Sequence, residues 1–288
     1  MGIFRRSWRV TLELADKYKQ FSELATRDMS LKIDFDAVNR IGGYSEGHIT
    51  LQNLKRDDIN FLATSATYPM SKKNAVKLEA GYNGDLSVVL NGQIYQVEAD
   101  FTSPDNKISL TVQGGLGQNF INTGKAISLK GDIDLKDVCK ELSTLESMQL
   151  HYDENIKPIA QKGFSFVGTP MQLLNQLRNS FKDLYFYIGA DAKVLYVKPK
   201  ENPAKNKVNT LSEDSGLQGT PKPTQFGIMA ISILNPALKA GEWVNIKSQR
   251  VSQYNGDWFI REIKHKGGNQ GNEWVSVLDL SKAAVGKA

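Results

Sequence analysis

The alternation of side chains between Gly47 and Gln52 most narrowly limits how this chain can fold. In "GHITLQ", Ile49 and Leu51 fall on one face while His48, Thr50 and Gln52 fall on the other, the period-two signature of a half-buried strand. A short helix is predicted immediately after it. Asn53 offers a side-chain oxygen near its start, Asp57 and Asp58 suit the positive end of the helix dipole, and Leu54, Ile59, Phe61 and Leu62 supply apolar mass. "AVKLEAGY", a turn at Asn83-Gly84-Asp85 and "LSVVLNGQIYQVEADF" complete a strand, helix, strand, turn, strand unit over Ile41 to Gly92.

The flanking sequence extends this pattern. "SWRVTLEL" (Ser7 to Leu14) places Trp8, Val10, Leu12 and Leu14 on one face, and "LKIDFDAV" places Leu31, Ile33 and Phe35 inward. With "KISLTVQGG" (Lys107 to Gly115), about 115 residues hold at least six short strands and one helix, which predicts a closed or nearly closed β-barrel or a sandwich. Gly114, Gly115 and Gly117 follow a strand, but no Lys-Ser or Lys-Thr follows them. They read as a strand end leading into a linker over Leu116 to Gly124, not as a phosphate loop.

The character changes from Ala126 to Pro199. Here the pattern predicts strand "AISLKG", helix "DLKDVCKELSTLE", strands "MQLHYD" and "GFSFVG", helix "TPMQLLNQLRNSF" and hairpin "LYFYIGADAKVLYVKP". Asp134 is the expected cap of the first helix, with Leu135, Val138, Cys139 and Leu142 on one face. Thr169 caps the second, Pro170 opens it, and Leu174, Leu177 and Phe181 form its stripe with Leu173 beside it. The expected result is a small α/β module with two helices on one face of a sheet. Tyr185, Phe186, Tyr187 and Tyr196 belong to sheet core and cross-strand pairs in preference to a sugar-stacking platform.

Lys198 to Pro223 carries Pro199, Pro203, Pro221 and Pro223 among polar residues and predicts an extended linker. Beyond it, strands are expected over Ile228 to Leu234, Trp243 to Ser248, Asp257 to Lys266 and Glu273 to Leu280. Turns at Asn235-Pro236, Asn255-Gly256 and Gly267 to Gly271 make this an antiparallel meander. Trp258 and Trp274 are its natural inward or interface anchors, and His265 reads as a hydrogen-bonded residue at a strand end.

Composition excludes several classes. At 288 residues, with 40% hydrophobic and 23% charged residues, the chain is long enough for real cores and ordinary for a globular protein. The longest apolar run, Phe226 to Leu234, is too short to span a bilayer, so no membrane partner is expected. Arg5, Arg6 and Arg9 are followed by Glu13, Asp16 and Lys17 and not by the apolar core of a signal peptide. Lys and Arg number 36 against 31 acids, a net charge of +5, but the excess is dispersed and not gathered into the stripe a nucleic-acid site requires.

Catalytic, cofactor and metal constellations are absent from the pattern. His48, His151 and His265 have no ligand spacing, and Asp132, Asp134 and Asp137 lack the glycine and closing glutamate of a calcium loop. Cys139 lies on an apolar stripe and reads as core. Asp153-Glu154 and Glu213-Asp214 occupy polar, turn-like settings. No catalytic, cofactor-binding or metal residue is therefore assigned, no cofactor is expected, and the chain does not read as an enzyme.

"GHITLQNLKRDDINFL", "VKLEAGYNG" and "VVLNGQIYQVEADF", in that order, resemble the N-terminal barrel of baseplate hub proteins from contractile-tailed bacteriophages. "LNPALKAGEWVNI" and "YNGDWFIREIKHKGGNQGNEWVSVLDL" resemble the closing barrel of phage hub and tail proteins. The middle module is similar to the small ring-forming domains of secretins and to α/β insertions of phage hubs. The resemblance implies a β-rich, mixed α+β fold: a tube-like β-barrel over 1–120, an inserted module over 125–200, a linker over 201–224 and a C-terminal antiparallel β domain over 225–288. It further implies a structural virion protein of the tail baseplate, assembled in the host cytoplasm as a homotrimer. Its expected partners are the tail tube protein, the central spike, other baseplate proteins and the tape-measure protein, and DNA would pass through its channel without specific binding. The alternatives are a tail tube or tube-initiator protein, a cell-wall-binding tail accessory, and a tail lysin.

Overall fold

Side-chain alternation along the first strand decides which side of the sheet becomes core. In the computed structural model, which describes residues 5–14, 17–22, 31–41, 45–65, 74–101, 106–114, 123–201, 203–205, 208–271 and 273–282, strand β1 (Arg6–Leu14) buries Trp8, Val10, Leu12 and Leu14. It is followed by β2 (Lys17–Ser22), β3 (Lys32–Arg40), β4 (Ser45–Gln52), helix α1 (Arg56–Ser65), β5 (Asn74–Tyr82), β6 (Asp85–Asp100) and β7 (Lys107–Gly114). The inward residues Ile33, Phe35, Ile49, Leu51, Leu78, Leu110 and the α1 residues Ile59 and Leu62 form one cluster. A slip of one residue in any of these strands would turn its whole apolar set to solvent, at roughly 1.5–3 kcal/mol per large side chain, so the register is firmly fixed.

Two local features refine the sequence expectation. Asn83 and Gly84 both have positive φ, 53° and 86°, which is the type I′ turn whose twist suits a two-residue hairpin. Asn53, expected near the helix cap, instead takes a left-handed conformation at φ 62° and donates its backbone N–H to the Asn106 carbonyl. The helix starts only at Arg56. Of the glycine cluster, Gly114 ends β7, packed so closely on Leu90 and Ser45 that a Cβ would lie 2.8 Å from each. Gly115, Gly117 and most of the expected linker lie outside the described residues.

The module comprises β8 (Lys125–Asp134), α2 (Leu135–Leu145), β9 (Gln149–Tyr152), β10 (Ala160–Gly168), α3 (Pro170–Ser180), β11 (Leu184–Ile188) and β12 (Val194–Pro199). Both helix starts are closed capping boxes. Asp134 accepts from the Lys136 N–H at 2.9 Å while Asp137 accepts from the Asp134 N–H at 2.8 Å, and Thr169 and Gln172 do the same around Pro170. Leu135, Val138, Cys139, Leu142, Leu173, Leu174 and Leu177 are buried together. The single sheet expected here is two: among the described residues β8 pairs only with β10, and β9 adds in parallel to β12 of the β11–β12 hairpin. The reason is that "QLHY" runs alongside "VLYV" and so leaves β8 and β10 as a separate ribbon, against which α2 and α3 also pack.

The last part holds β13 (Val208–Ser212), β14 (Leu217–Thr224), β15 (Gly227–Ile233), β16 (Trp243–Lys247), β17 (Gly256–Gly268) and β18 (Trp274–Ser281). Residues 208–224, read as linker, are therefore mostly strand. Their composition misleads because β14 is an edge strand, where Pro221 and Pro223 can be tolerated without interrupting an internal ladder. The strand order is also not a meander. β15 pairs with β18, β18 with β17, β17 with β16, and β13 joins β16 in parallel.

Strand β17 unites the two β-rich parts. Its first residues, Gly256–Phe259, pair with β16, while Glu262–Gly268 pair with β3. The result, among the described residues, is one 13-stranded sheet shared by both β-rich parts. The turn after β17 clasps the N-terminal part. Asn269 accepts from the Ile33 N–H at 2.9 Å and donates to the Leu31 carbonyl at 2.8 Å, and Arg6 donates to the Gly268 carbonyl at 2.7 Å. Trp274 sits in the N-terminal core, edge-on to Phe35 at 5.4 Å.

Candidate functional site

Each part of the molecule has its own apolar cluster, and the module's draws only on side chains between Ile127 and Val197. Among the described residues, what joins the module to the strands of the fused β body is a hydrogen-bonded, polar seam with two footholds. At the first, Asn91 of β6 donates its backbone N–H to the Ala190 carbonyl at 3.1 Å and its side-chain amide to the Asp191 carbonyl at 2.9 Å. At the second, buried Lys198 donates to the Gly241 carbonyl at 2.5 Å, and Tyr187 packs against Gly241. Gly241 has φ 84°, and a Cβ there would meet the Tyr187 hydroxyl at 1.7 Å. Only glycine satisfies both the backbone and the approach.

Between the footholds lies a cavity of about 480 Å³, bordered by β3, the β11–β12 turn and the loop after β15. Its wall is polar. Asn39 Oδ1 is buried and receives no hydrogen bond among the described residues, and His265 contributes to the lining. Tyr187 stacks on Tyr196 with ring centroids 5.0 Å apart and planes 9° from parallel. Burial raises the Tyr187 phenol well above its ordinary range and lowers Lys198, the latter opposed by the nearby carboxylates of Asp153 and Glu242.

The residues singled out in the sequence are dispersed. His48 lies on β4 with its Nδ1 3.4 Å from the Thr111 hydroxyl, and His151 on β9 lies against Tyr196, its pKa lowered mainly by burial. His265 is not at a strand end but inside β17, 2% exposed, with Nδ1 2.8 Å from the Ser276 hydroxyl. Burial pushes its pKa down to about 4. Strand alternation turns its neighbours Lys264 and Lys266 to the opposite face. Cys139 is fully buried in the module core with its pKa pushed up to about 12.

Two carboxylates read as solvated are structural. Asp153 is buried and accepts from the Asn155 and Ala204 N–H groups, both at 2.9 Å. Glu213 accepts from Ser248 Oγ and from the Gln249 N–H, and amide hydrogen bonds hold its carboxyl below the usual range. Their turn-like sequence gave no sign of distant donors. Among the described residues, no group of three or more His, Cys, Asp or Glu is placed to hold a metal ion, and no helix is long and apolar enough to cross a membrane. Sequence reading missed Asn91 and Lys198; the glycine in "KAGEW" carried a local turn signal, which its φ of 84° bears out.

The sequence profile of the family described as Baseplate hub gp41 matches residues 8–278, across both β-rich parts and the module between them. The chain belongs to the baseplate hub gp41 family. No curated protein matches it. Solved structures share the fold at low identity. A tail protein from Neisseria meningitidis MC58 superposes with a TM-score of 0.59 at 10% identity, covering 96% of each chain. The 43 kDa tail protein of prophage MuSo2 from Shewanella oneidensis has a TM-score of 0.59 at 9% identity, covering 96% of this chain and 97% of that one. The E. coli c3393 protein, a type VI secretion component described as structurally similar to T4 tail proteins gp27 and gp5, reaches 0.62 at 9% identity over 90% of this chain and 76% of its own. This hub-family chain is thus a structural phage tail protein with the β-rich tail-protein fold.

Proposed function

We propose that the chain is a hub subunit that assembles as a homotrimer, joins the hexameric tail tube to a trimeric central spike, and forms part of the channel for the tape-measure protein and DNA. The observation that carries this reading is the fusion of the two β-rich parts through β17 within a family match spanning both. Two β-rich parts per copy, three copies per ring, would present six similar units to a sixfold tube and three copies to a spike. The fused body supplies the stiffness such an adaptor needs, since neither part can tilt without breaking ladder bonds. The sequence reading of separate units, 1–120 and 225–288 around a module at 125–200, is carried into this proposal as two ring-building parts of one body.

A channel for DNA must not hold phosphate tightly. The excess Lys and Arg residues are therefore placed on the outer surfaces of the ring, while cations such as Lys264, 2.6 Å from Asp36, and Arg40, 2.7 Å from Glu46, are neutralised by pairing. Native mass spectrometry of the purified chain, alone and with its tail tube and spike proteins, tests the reading. A trimer that binds both partners is expected. A hexamer would overturn it in favour of a tube or tube-initiator protein, and a monomer that sediments with peptidoglycan would favour a cell-wall-binding accessory.

A further inference from the structure

The polar seam suggests a moving part. The module's core is complete within residues 127–197, so the module can shift without exposing its own apolar cluster or that of the β body. The two footholds differ in kind. At Gly241 the contact is buried and close-packed, combining the stacked Tyr187 with Lys198 and a glycine that admits no other side chain. At Asn91 the contact is two hydrogen bonds from one residue to the carbonyls of a tight turn, with Ala192 of that turn held at φ 59°. The cavity of about 480 Å³ between them gives the clearance that a close-packed interface would lack.

We infer that the module rocks as a rigid body on the Gly241 foothold, releasing and remaking the Asn91 foothold and closing or widening the cavity between. The motion is a local opening of the kind that costs far less than unfolding, because it breaks two hydrogen bonds and leaves every core intact. Asn91 is a sensitive reporter. β7 pairs with β6 only from Gly92 onward, and on the other side Asn91 stands opposite Lys77 of β5, so an N–H given to the module's Ala190 carbonyl at 3.1 Å points away from β5, on the edge that β7 leaves open.

Hydrogen exchange by NMR on the full-length chain tests this. The Asn91 amide is expected to exchange about tenfold or more faster than β6 amides bonded within the sheet, a ratio equivalent to about 1.4 kcal/mol, while the amides of Leu174 and Leu177 in α3 stay protected. Asn91→Ala should speed exchange at position 91 and in the turn at 189–192 without touching α3. A disulfide between Asn91→Cys and Ala190→Cys should restore protection to ladder level when oxidised and lose it on reduction. Equal protection of Asn91 and its ladder neighbours in the wild-type chain would overturn the inference. Exchange at Asn91 that rises only together with the α3 amides would also overturn it, because the module would then be unfolding and not rocking. The readout is internal to one chain, so it stands or falls independently of the trimer and its partners.

Discussion

Replacing Gly241 with alanine should be the most damaging single-methyl change at the seam. The backbone there has φ 84°, and holding an L-residue in the left-handed region costs roughly 1–2 kcal/mol. The added Cβ would lie 1.7 Å from the Tyr187 hydroxyl and 2.6 Å from the ring carbon bearing it, so the ring must move. Tyr187 is 3% exposed and stacked on Tyr196, which makes that movement an overpacking event worth another 1–3 kcal/mol or so. The sum is about 2–5 kcal/mol, or a fall in Tm of roughly 3–8 °C for a chain of this size, read by differential scanning calorimetry. A second variant separates the two causes. Tyr187→Phe in the Gly241→Ala background deletes the nearer obstacle but leaves the ring carbon and the backbone cost, so it should recover part of the loss and never all of it. A Gly241→Ala protein melting within about 1 °C of wild type would refute both the strain and the contact.

Other consequences are simpler to check. Leu174→Ala, at a fully buried α3 position, should destabilise by about 2–5 kcal/mol in urea unfolding, and an unchanged midpoint would show the stripe is not core. His265 has a folded pKa near 4, below its unfolded value of about 6.5, so its contribution is fully present above pH 6.5 and is lost as pH falls toward 4. Between pH 7 and pH 5 this one residue should remove roughly 2 kcal/mol, a slope that His265→Asn would flatten. Cys139, buried with its thiol pushed up to about 12, should resist iodoacetamide at pH 8 in the folded protein and react once urea unfolds it.

The sequence was most legible where one local rule decided the outcome. Trp8, Val10, Leu12 and Leu14 could face only one way, Asn83-Gly84 could make only one kind of hairpin, and the capping residues Asp134 and Thr169 stood where the helices begin. Legibility failed where partners are far apart in the chain. Nothing local to Val208–Ser212 announces that it lies parallel to Trp243–Lys247, and proline in β14 reads as linker until its place at the sheet edge is known. The seam was invisible for the same reason. Asn91 looks like a strand residue and Lys198 like a solvated one until the fold brings Ala190 and Gly241 to them.

The double pairing of β17 also sets a timetable for synthesis. Arg40 of β3 meets Glu262 of β17, so one edge of β3 stays without its native partner until roughly 220 further residues have been made, about 10–45 s at ordinary elongation rates. Throughout that interval the nascent chain offers a ready template to any other strand, including the β3 or β17 of a neighbouring copy on the same message. The module is translated inside this window and, holding a complete core of its own, can fold while the body waits. A strand made long after β3 is thus the one that seals it, and this edge becomes safe from mispairing only once β17 has emerged.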